Sequence, residues 1–172
     1  MKLLLTKFIR DVPDFPKKGI IFKDITPLLK NSKSLKTMVD IFYNYYKSKK
    51  IDKIVSMESR GFIIGSALAY KLGAGFVPVR KKGKLPHKTI SVTYDLEYGK
   101  DILEIHKDSI NPGDHVLIID DVLATGGTAK AVTELIEKLS GKIAGLGFLI
   151  ELSFLKGRDK LDKYNLYSII TY

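Results

Sequence analysis

The residues best suited to carry chemistry are two adjacent aspartates, Asp120 and Asp121, which follow a run of apolar residues. A short loop with the sequence VLATGGT comes next, and a helix is predicted to begin where the loop ends. The two glycines allow backbone N–H groups to approach an anion, and the helix N-terminus adds unpaired donors and a partial positive charge. Thr125 and Thr128 supply hydroxyl donors. The loop therefore predicts a phosphate site.

The paired aspartates need a different ligand, because two carboxylates would repel a phosphate. They suit a polyol, such as the hydroxyls of a ribose, or a hydrated divalent cation. An Asp-Asp pair joined to a glycine-rich anion loop thus indicates a sugar phosphate. The segment has neither the GxxxxGK[ST] nor the GxGxxG nucleotide-binding pattern. A plain strand–turn–helix junction capped by an aspartate is the alternative, but a cap explains neither the second acid nor the TGGT sequence.

Composition and charge limit the classes of function. The formal net charge is +10, from 29 lysines and arginines against 19 acids. This favours nucleic acid or small phosphorylated ligands as partners, unless the lysine excess only solvates the surface. The chain has no cysteine, which excludes disulfides and thiolate chemistry, and its histidines lack the spacing of a zinc site. No apolar run reaches the roughly 18 residues of a membrane span, and no signal-peptide core is present, so a cytoplasmic protein is expected.

Segments with the pattern of strands alternate with segments with the pattern of helices, which favours an α/β fold with a mostly parallel central sheet flanked by helices. The apolar run 115–119 predicts a strand buried on both faces, with the aspartates at its carboxyl end, where ligands bind in such folds. The other predicted elements are strands at 51–57, 75–80, 143–152 and 166–171, helices at 34–49, 62–72 (ended by Gly73) and 128–139, a basic loop at 81–93, a hairpin at 94–107, a turn at 111–114 and an irregular cap at 11–27.

The segment 116–128 resembles the PRPP-binding motif of the type I phosphoribosyltransferases, PRPP being phosphoribosyl pyrophosphate. Five further segments resemble the adenine phosphoribosyltransferases and follow that family's order: FPKKGIIFKDITPLL, ESRGFIIGSALA, VRKKGKLPHKT, YDLEYGKDILEIHKD and ELSFLKGRDKL. The resemblance implies a type I phosphoribosyltransferase fold in one domain, residues 1–172, with residues 1–30 as a small N-terminal hood that contributes to the base pocket. It also implies a purine-salvage enzyme that converts adenine and PRPP to AMP and pyrophosphate.

The resemblance assigns binding roles to individual residues. Asp120 and Asp121 would hold the ribose hydroxyls of PRPP. The 5′-phosphate would be wrapped by Ala124, Thr125, Gly126, Gly127 and Thr128, pyrophosphate would be bound by Ser59, Arg60, Arg80, Lys81 and Lys84, and adenine would contact Lys23, Leu123, Leu152 and the backbone of Ile21. The family commonly has arginine where this chain has Lys23, so the strictness of its selectivity for adenine stays open.

Three residues would carry the reaction according to this resemblance. Glu104 would be the acid/base, because adenine must lose a ring proton as N9 attacks C1′, and a carboxylate near N7 can relay it. Tyr98 would lie on a mobile loop that closes over the site, and Arg60 would contact pyrophosphate. Mg²⁺ is implied as a cofactor held mainly by oxygens of PRPP and pyrophosphate. A homodimer is expected, in which Arg80 can reach the neighbouring subunit's site.

Two other functions remain open. One is a regulator on the same fold that binds nucleic acid and responds to PRPP or a nucleotide. The charge permits it, but the chain has no helix-turn-helix segment and keeps the acid/base and pyrophosphate segments. The other is a transferase for xanthine, hypoxanthine or guanine, which the LEYGK and LEIHKD segments argue against. The expectation is an enzyme for adenine and PRPP that binds neither nucleic acid nor membrane.

Overall fold

A computed structural model of the protein describes residues 2–95 and 100–172. Its strands are β1 (Arg10–Pro13), β2 (Ile21–Asp24), β3 (Lys53–Met57), β4 (Gly75–Lys81), β5 (Thr89–Asp95), β6 (Lys100–His106), β7 (His115–Leu123), β8 (Lys142–Glu151) and β9 (Leu166–Thr171). Its α-helices are α1 (Lys2–Thr6), α2 (Thr26–Lys30), α3 (Ser32–Tyr46), α4 (Arg60–Leu72) and α5 (Gly127–Lys138), and short 3₁₀ helices span Ser153–Leu155 and Gly157–Leu161. Within the described ranges, no helix is both long and apolar enough to cross a membrane.

Seven strands form the central sheet in the order β5-β6-β4-β3-β7-β8-β9. The strands from β4 to β9 in this order are parallel, and the hairpin of β5 and β6 extends the sheet in antiparallel orientation at β4. Helix α5 packs on one face, and α3 and α4 pack on the other. The predicted α/β fold with a mostly parallel sheet flanked by helices is confirmed. Strands β1 and β2 form a separate antiparallel pair within residues 1–30.

The central strand β7 shows why the sheet needs a helical layer on each face. Val116 and Ile118 contribute to one hydrophobic core, whereas Leu117 and Ile119 contribute to the other. All four side chains are fully buried. The continuous apolar run in the sequence follows from this arrangement, because neither face of the strand meets solvent.

Helix α4 lies close to strand β3. A Cβ atom added at Gly65 would lie 2.0 Å from the Ser56 Oγ, so only glycine allows this approach. The helix ends at Gly73, whose φ of 71° is the left-handed conformation predicted for that position. Because α4 is held against β3 in this way, its first residue, Arg60, is positioned just beyond the carboxyl end of the strand.

The remaining elements lie close to their predicted positions, with two differences along the central sheet. Strand β7 continues through Asp120 and Asp121 and ends at Leu123, so the glycine-rich loop is shorter than expected. Strand β5 begins at Thr89, inside the predicted basic loop, because Val92 is buried and gives this segment an inward-facing side. The turn at residues 111–114 is confirmed, and the turn of the predicted hairpin lies outside the described residues.

The predicted irregular cap at residues 11–27 instead contains the paired strands β1 and β2. Their cross-strand contacts include two ion pairs, Arg10 with Asp24 at 2.6 Å and Lys23 with Asp11 at 2.7 Å. Opposite charges stabilise cross-strand pairs, but they leave no alternation of apolar and polar residues. The hydrophobic pattern therefore could not predict this small sheet.

Candidate active site

The candidate active site lies at the edge of the sheet where β3 and β7 end. These neighbouring strands are parallel, so the residues that follow them converge at one place. A cavity of about 800 Å³ opens there beside a second cavity of about 830 Å³, a size range that suits a nucleotide-sized ligand. The predicted site residues that line one or both cavities are Ile21, Lys23, Ser59, Arg60, Lys81, Asp120, Asp121, Ala124, Thr125, Gly127, Thr128 and Leu152.

The glycine-rich loop encloses a third cavity of about 90 Å³, which is lined by every residue from 124 to 128. Helix α5 begins at Gly127, so the N–H groups of its first turn, which have no partners within the helix, are available at this cavity. Gly126 has a φ of 78°, and a Cβ atom there would lie 2.4 Å from the carbonyl oxygen of Gly157. The loop is therefore supported from behind, and its size and donors suit one phosphate group.

The two aspartates lie beside this phosphate-sized cavity, in the wall of the cavity of about 800 Å³. Asp120 lines both cavities, and a Cβ atom at Gly61 would lie 2.4 Å from its Oδ1, so the glycine gives the carboxyl its room. The Arg60 Nε lies 2.6 Å from Asp121 Oδ2. Among the described residues this buried oxygen accepts no aligned hydrogen bond, so its contact with Arg60 is a charge pair.

Burial raises the pKa of both aspartates above the ordinary value for the residue. The charge of Asp121 raises the pKa of Asp120 further, whereas the charge of Arg60 opposes the rise at Asp121. The pair is therefore held in an environment that disfavours two ionised carboxylates. Hydroxyl donors or a cation from a ligand would relieve that cost.

Glu58 organises the basic residues that were predicted to bind pyrophosphate. Its carboxylate accepts hydrogen bonds from Arg80 Nη2 at 3.2 Å, Lys84 Nζ at 2.8 Å and the backbone N–H of Lys81 at 2.7 Å. Burial acts to raise the pKa of Glu58, but these hydrogen bonds outweigh burial and hold the pKa below its ordinary value. The Lys81 ammonium is paired separately with Asp101 at 2.8 Å. Each of these cations already has a carboxylate partner in the free chain.

Arg80 and Lys84 are not among the described residues that line the two large cavities, although Glu58 is. They reach the cavity edge through their contacts with Glu58. Arg60 and Lys81 line the cavity directly. The predicted pyrophosphate residues are thus brought to one side of the site, but only part of the group faces the open space.

The predicted base-binding residues fall into two groups. Ile21, Lys23 and Leu152 line both large cavities, at the side where strand β2 faces the end of β8. Leu123 is placed differently, because it is 1% exposed, packs in the core and lines only the phosphate-sized cavity. Since β7 continues to this residue, its side chain is taken up by the core. The structure does not bring Leu123 to the base-binding side.

Glu104 is not brought to the cavity, contrary to its predicted role as the acid/base. Its carboxylate accepts a hydrogen bond from the backbone N–H of Gly83 at 2.9 Å, and the residue is buried. The preceding residue, Leu103, lines the large cavity, and alternation along β6 turns Glu104 to the opposite face. Its role as a proton acceptor for the base stays a prediction that this geometry does not favour. The other predicted catalytic residue on this hairpin, Tyr98, lies outside the described residues.

Several residues that line the site were not predicted from the sequence. The most informative is Glu58, whose signal was present as an acid next to Ser59 and Arg60. Phe22 also lines the cavity, with its ring centre 4.7 Å from the guanidinium carbon of Arg60. Tyr172 lines the second cavity but is distant in sequence from every other site residue, so no local pattern could have identified it.

Mg²⁺ was predicted as a cofactor bound mainly through the substrate. In the part of the chain that the structure describes, no group of three or more His, Cys, Asp or Glu side chains could hold a metal ion. Four acids line the large cavity beside the phosphate-sized one: Asp24, Glu58, Asp120 and Asp121. Asp24 is paired with Arg10, and Glu58 is paired with Arg80 and Lys84, so Asp120 and Asp121 are the better candidates to face a metal ion. Two hard oxygen donors fit a Mg²⁺ ion that keeps several waters and takes its other ligands from phosphate oxygens.

This fold and site are those of a phosphoribosyltransferase, and the family model of the phosphoribosyl transferase domain matches residues 24–171. The adenine phosphoribosyltransferase of Halothermothrix orenii is 58% identical over 96% of this chain and 98% of its own length. The crystal structure of the enzyme of that name from Thermoanaerobacter pseudethanolicus has a TM-score of 0.98 and 50% identity and covers 100% of both chains.

The Saccharomyces cerevisiae adenine phosphoribosyltransferase, solved in complex with an imino-altritol bisphosphate and adenine, has a TM-score of 0.93 and 42% identity over 98% of this chain and 97% of its own. The chain belongs to the adenine phosphoribosyltransferase family.

Proposed function

We propose that the protein joins adenine to the ribose phosphate of PRPP, forming AMP and releasing pyrophosphate, as a step of cytoplasmic purine salvage. One observation carries this proposal: a phosphate-sized cavity, a buried carboxyl pair and a group of cations meet at one edge of the sheet. They match the 5′-phosphate, the ribose hydroxyls and the pyrophosphate of PRPP. The relatives' shared name and the adenine bound to the yeast enzyme support adenine as the base.

In this reaction a bond forms between N9 of adenine and C1′ of the ribose, and the bond from C1′ to a pyrophosphate oxygen breaks. Negative charge grows on the leaving pyrophosphate while the ribose carbon becomes electron-poor. Arg60 and Lys81, which line the cavity, would stabilise the leaving charge directly, and Ser59 would add a donor. The residues of the glycine-rich loop would hold the 5′-phosphate and so fix C1′ relative to the base.

The proton released from adenine needs an acceptor within hydrogen-bond reach. Glu104 is the acceptor predicted from the sequence. Its contact with the Gly83 backbone N–H suggests an alternative role, in which the carboxylate positions that backbone and takes no proton. The variant Glu104→Gln separates the two roles, because the glutamine oxygen can still accept from Gly83 but cannot take a proton. A fall in kcat of several orders of magnitude would support proton transfer, whereas a change of a few fold would support positioning.

Mg²⁺ is part of this proposal as a partner of the substrate. Asp120 and Asp121 would hold the ribose hydroxyls and contact the waters of a bound Mg²⁺, with the phosphate oxygens as its other ligands. When bound, the ion spreads the negative charge of the pyrophosphate group. Contact with hydroxyl donors or with the hydrated ion would also favour ionised carboxylates, which burial disfavours in the free chain.

The decisive experiment measures AMP formation from adenine, PRPP and Mg²⁺, with hypoxanthine and guanine as parallel substrates. AMP formation from adenine, without product from the other bases, would establish the activity and the choice of base. Product from hypoxanthine or guanine would instead indicate a transferase for another purine. If no base reacts but PRPP binds, a PRPP-responsive regulator becomes the better account, and a salt-dependent DNA shift assay tests it.

We also infer that the protein forms a homodimer. Helix α4 exposes Ile63 and Tyr70, which are 45% and 92% exposed and lie on the same face of the helix because they are seven residues apart. Sedimentation would test the dimer. Mixing inactive Arg80→Ala and Gly126→Ala chains tests whether Arg80 serves the neighbouring site. Restored activity would support a shared site, whereas no recovery would favour the contact of Arg80 with Glu58 of its own chain.

A further inference from the structure

Lys23 stands at the predicted base-binding side of the site, but its ammonium group is already engaged. The side chain is 13% exposed and lines both large cavities. Its Nζ donates a hydrogen bond to Asp11 Oδ1 at 2.7 Å and lies 4.0 Å from the centre of the Tyr172 ring. One contact comes from strand β1, opposite Lys23 in the register of the small sheet, and the other comes from the residue after strand β9.

The backbone of Tyr172 is held in place by three hydrogen bonds, which keep the residue next to Lys23. The Tyr172 N–H donates to the carbonyl oxygen of Glu151 at 2.9 Å, and its own carbonyl oxygen accepts from the N–H and the hydroxyl of Ser153 at 2.9 and 2.6 Å. The attraction between a cation and an aromatic face is strongest where water is excluded. Lys23 is therefore drawn toward Asp11 and Tyr172 by two independent contacts.

These contacts contribute little to stability on their own. The Asp11 side chain is 56% exposed, and ion pairs with an exposed partner are weak because solvent screens them. Their effect is on the direction of the ammonium group at the end of the Lys23 side chain, a residue that lines the cavities that would hold the base.

The direction of this group matters because an ammonium can only donate hydrogen bonds. Hypoxanthine and guanine carry a carbonyl oxygen at C6, which accepts a hydrogen bond. Adenine carries an amino group there, which donates. A free ammonium at the base edge would therefore favour 6-oxopurines over adenine, whereas an ammonium satisfied elsewhere would not.

We propose that Asp11 and Tyr172 are specificity-determining residues: by holding the Lys23 ammonium away from the base, they keep a 6-oxopurine from gaining a charge-assisted hydrogen bond and so preserve selectivity for adenine. This inference rests on the proposed adenine transferase activity and concerns the choice of base by the same site. Asp11 and Tyr172 act through Lys23 and need not contact the base.

The test is the ratio of kcat/KM for hypoxanthine to kcat/KM for adenine, at saturating PRPP and Mg²⁺. Asp11→Asn keeps the size of the side chain but replaces the charged acceptor of the Lys23 ammonium by a weaker neutral one, and it should raise the ratio by a factor of up to about ten, the effect of one charge-assisted hydrogen bond. Tyr172→Leu removes the aromatic face and should raise the ratio by a smaller factor, whereas Tyr172→Phe keeps the face and should leave the ratio unchanged.

The double variant Asp11→Asn with Lys23→Met should lose the gain, because no ammonium remains to be released. Asp162→Asn removes an exposed carboxylate outside the cavity lining and is the matched charge control, with an unchanged ratio expected. The inference is overturned if Asp11→Asn and Tyr172→Leu both keep the wild-type ratio, or if the gain persists in the double variant. If the wild-type protein makes no AMP at all, the proposed function itself fails, which is a separate result.

Discussion

Two regions of the site are suited to anions, and they are built in opposite ways. The phosphate-sized cavity at residues 124–128 is formed by a loop with two glycines and the start of helix α5. Its described lining residues include no cation, and Asp120 is the one charged side chain among them. The cations of the predicted pyrophosphate group are all paired with carboxylates: Arg80 and Lys84 with Glu58, Lys81 with Asp101, and Arg60 with Asp121. The first region offers donors fixed by the backbone, whereas the second offers charges that are already neutralised.

The two halves of one substrate would therefore be recognised by different interactions. A phosphate entering the loop finds donors that have no competing partner in the helix. A pyrophosphate approaching the basic residues must compete with Glu58 and Asp101 for the same cations. Binding at the loop should therefore depend on backbone shape, and binding on the other side should depend on charge and on ionic strength.

The largest expected effect comes from changing the backbone shape of the loop. Gly126→Ala would force a side chain into a φ of 78° and against the carbonyl oxygen of Gly157, so the loop must move. We expect kcat/KM for PRPP to fall by at least about a hundredfold, as small displacements of a positioning group can do. Gly73→Ala is the matched control, because its φ is 71° but open space surrounds its Cβ position. A comparable loss of activity in both variants would show that the contact with Gly157 is not the cause of the loss.

The next largest effect should come from the carboxylate that organises the basic side. Glu58→Gln removes the charge that holds Arg80 and Lys84, and we expect kcat/KM for PRPP to fall about tenfold. Asp101→Asn disturbs only the Lys81 ammonium on this side and should cost only about threefold. Steady-state kinetics on both variants test this order. Equal effects would mean that the pairing of Glu58 with two cations matters no more for binding than the pairing of Asp101 with one.

Ionic strength should separate the two regions without any mutation. Raising the salt concentration from about 0.05 M to about 0.5 M shortens the screening length to a few ångströms. Inhibition by pyrophosphate should weaken about tenfold, whereas inhibition by ribose 5-phosphate, which would occupy the loop, should weaken by about threefold or less. The ratio of the two inhibition constants is the measurement. A parallel change in both constants would contradict the contrast between backbone donors and side-chain charges.

The smallest effect concerns the carboxyl pair between the two regions. Because burial raises the pKa of Asp120 above its unfolded value, the ionised carboxyl costs stability at neutral pH, and this cost disappears as the pH falls through the unfolded pKa. Asp120→Asn should therefore raise the free energy of unfolding by about 1 kcal/mol at pH 7.5, with a smaller gain at pH 4.5, while lowering activity. Denaturant unfolding at both pH values checks this, and a gain that grows toward acid pH would have the wrong sign.

Local signals made the central part of this molecule predictable. The apolar run of β7, the adjacent aspartates and the two glycines lie within a short stretch of sequence, so the strand, the loop and the helix after it could be predicted together. Gly73 marked the end of α4 for the same reason. In each case a few neighbouring residues determine the backbone.

Side-chain placement could not be predicted from local signals where it depends on the pairing of distant segments. Glu104 lies opposite Arg80 in the register of β4 and β6, and this register decides that Leu103, not Glu104, faces the cavity. The contact of Lys23 with Tyr172 joins strand β2 of the small sheet to the residue that follows strand β9. Neither side-chain direction nor register is encoded by residue type at a single position, so a motif can identify such residues without saying where they point.

The contact between Gly126 and Gly157 has a consequence for how this sequence can vary over generations. A Cβ atom at Gly157 would lie 2.1 Å from the carbonyl oxygen of Ala124, so the backbone of the loop excludes a side chain at Gly157, just as the backbone of Gly157 excludes one at Gly126. Neither residue can gain a side chain while the two backbone segments stay in contact. A comprehensive substitution library should therefore show a second intolerant glycine outside the recognised motif, in the segment that begins the last 3₁₀ helix.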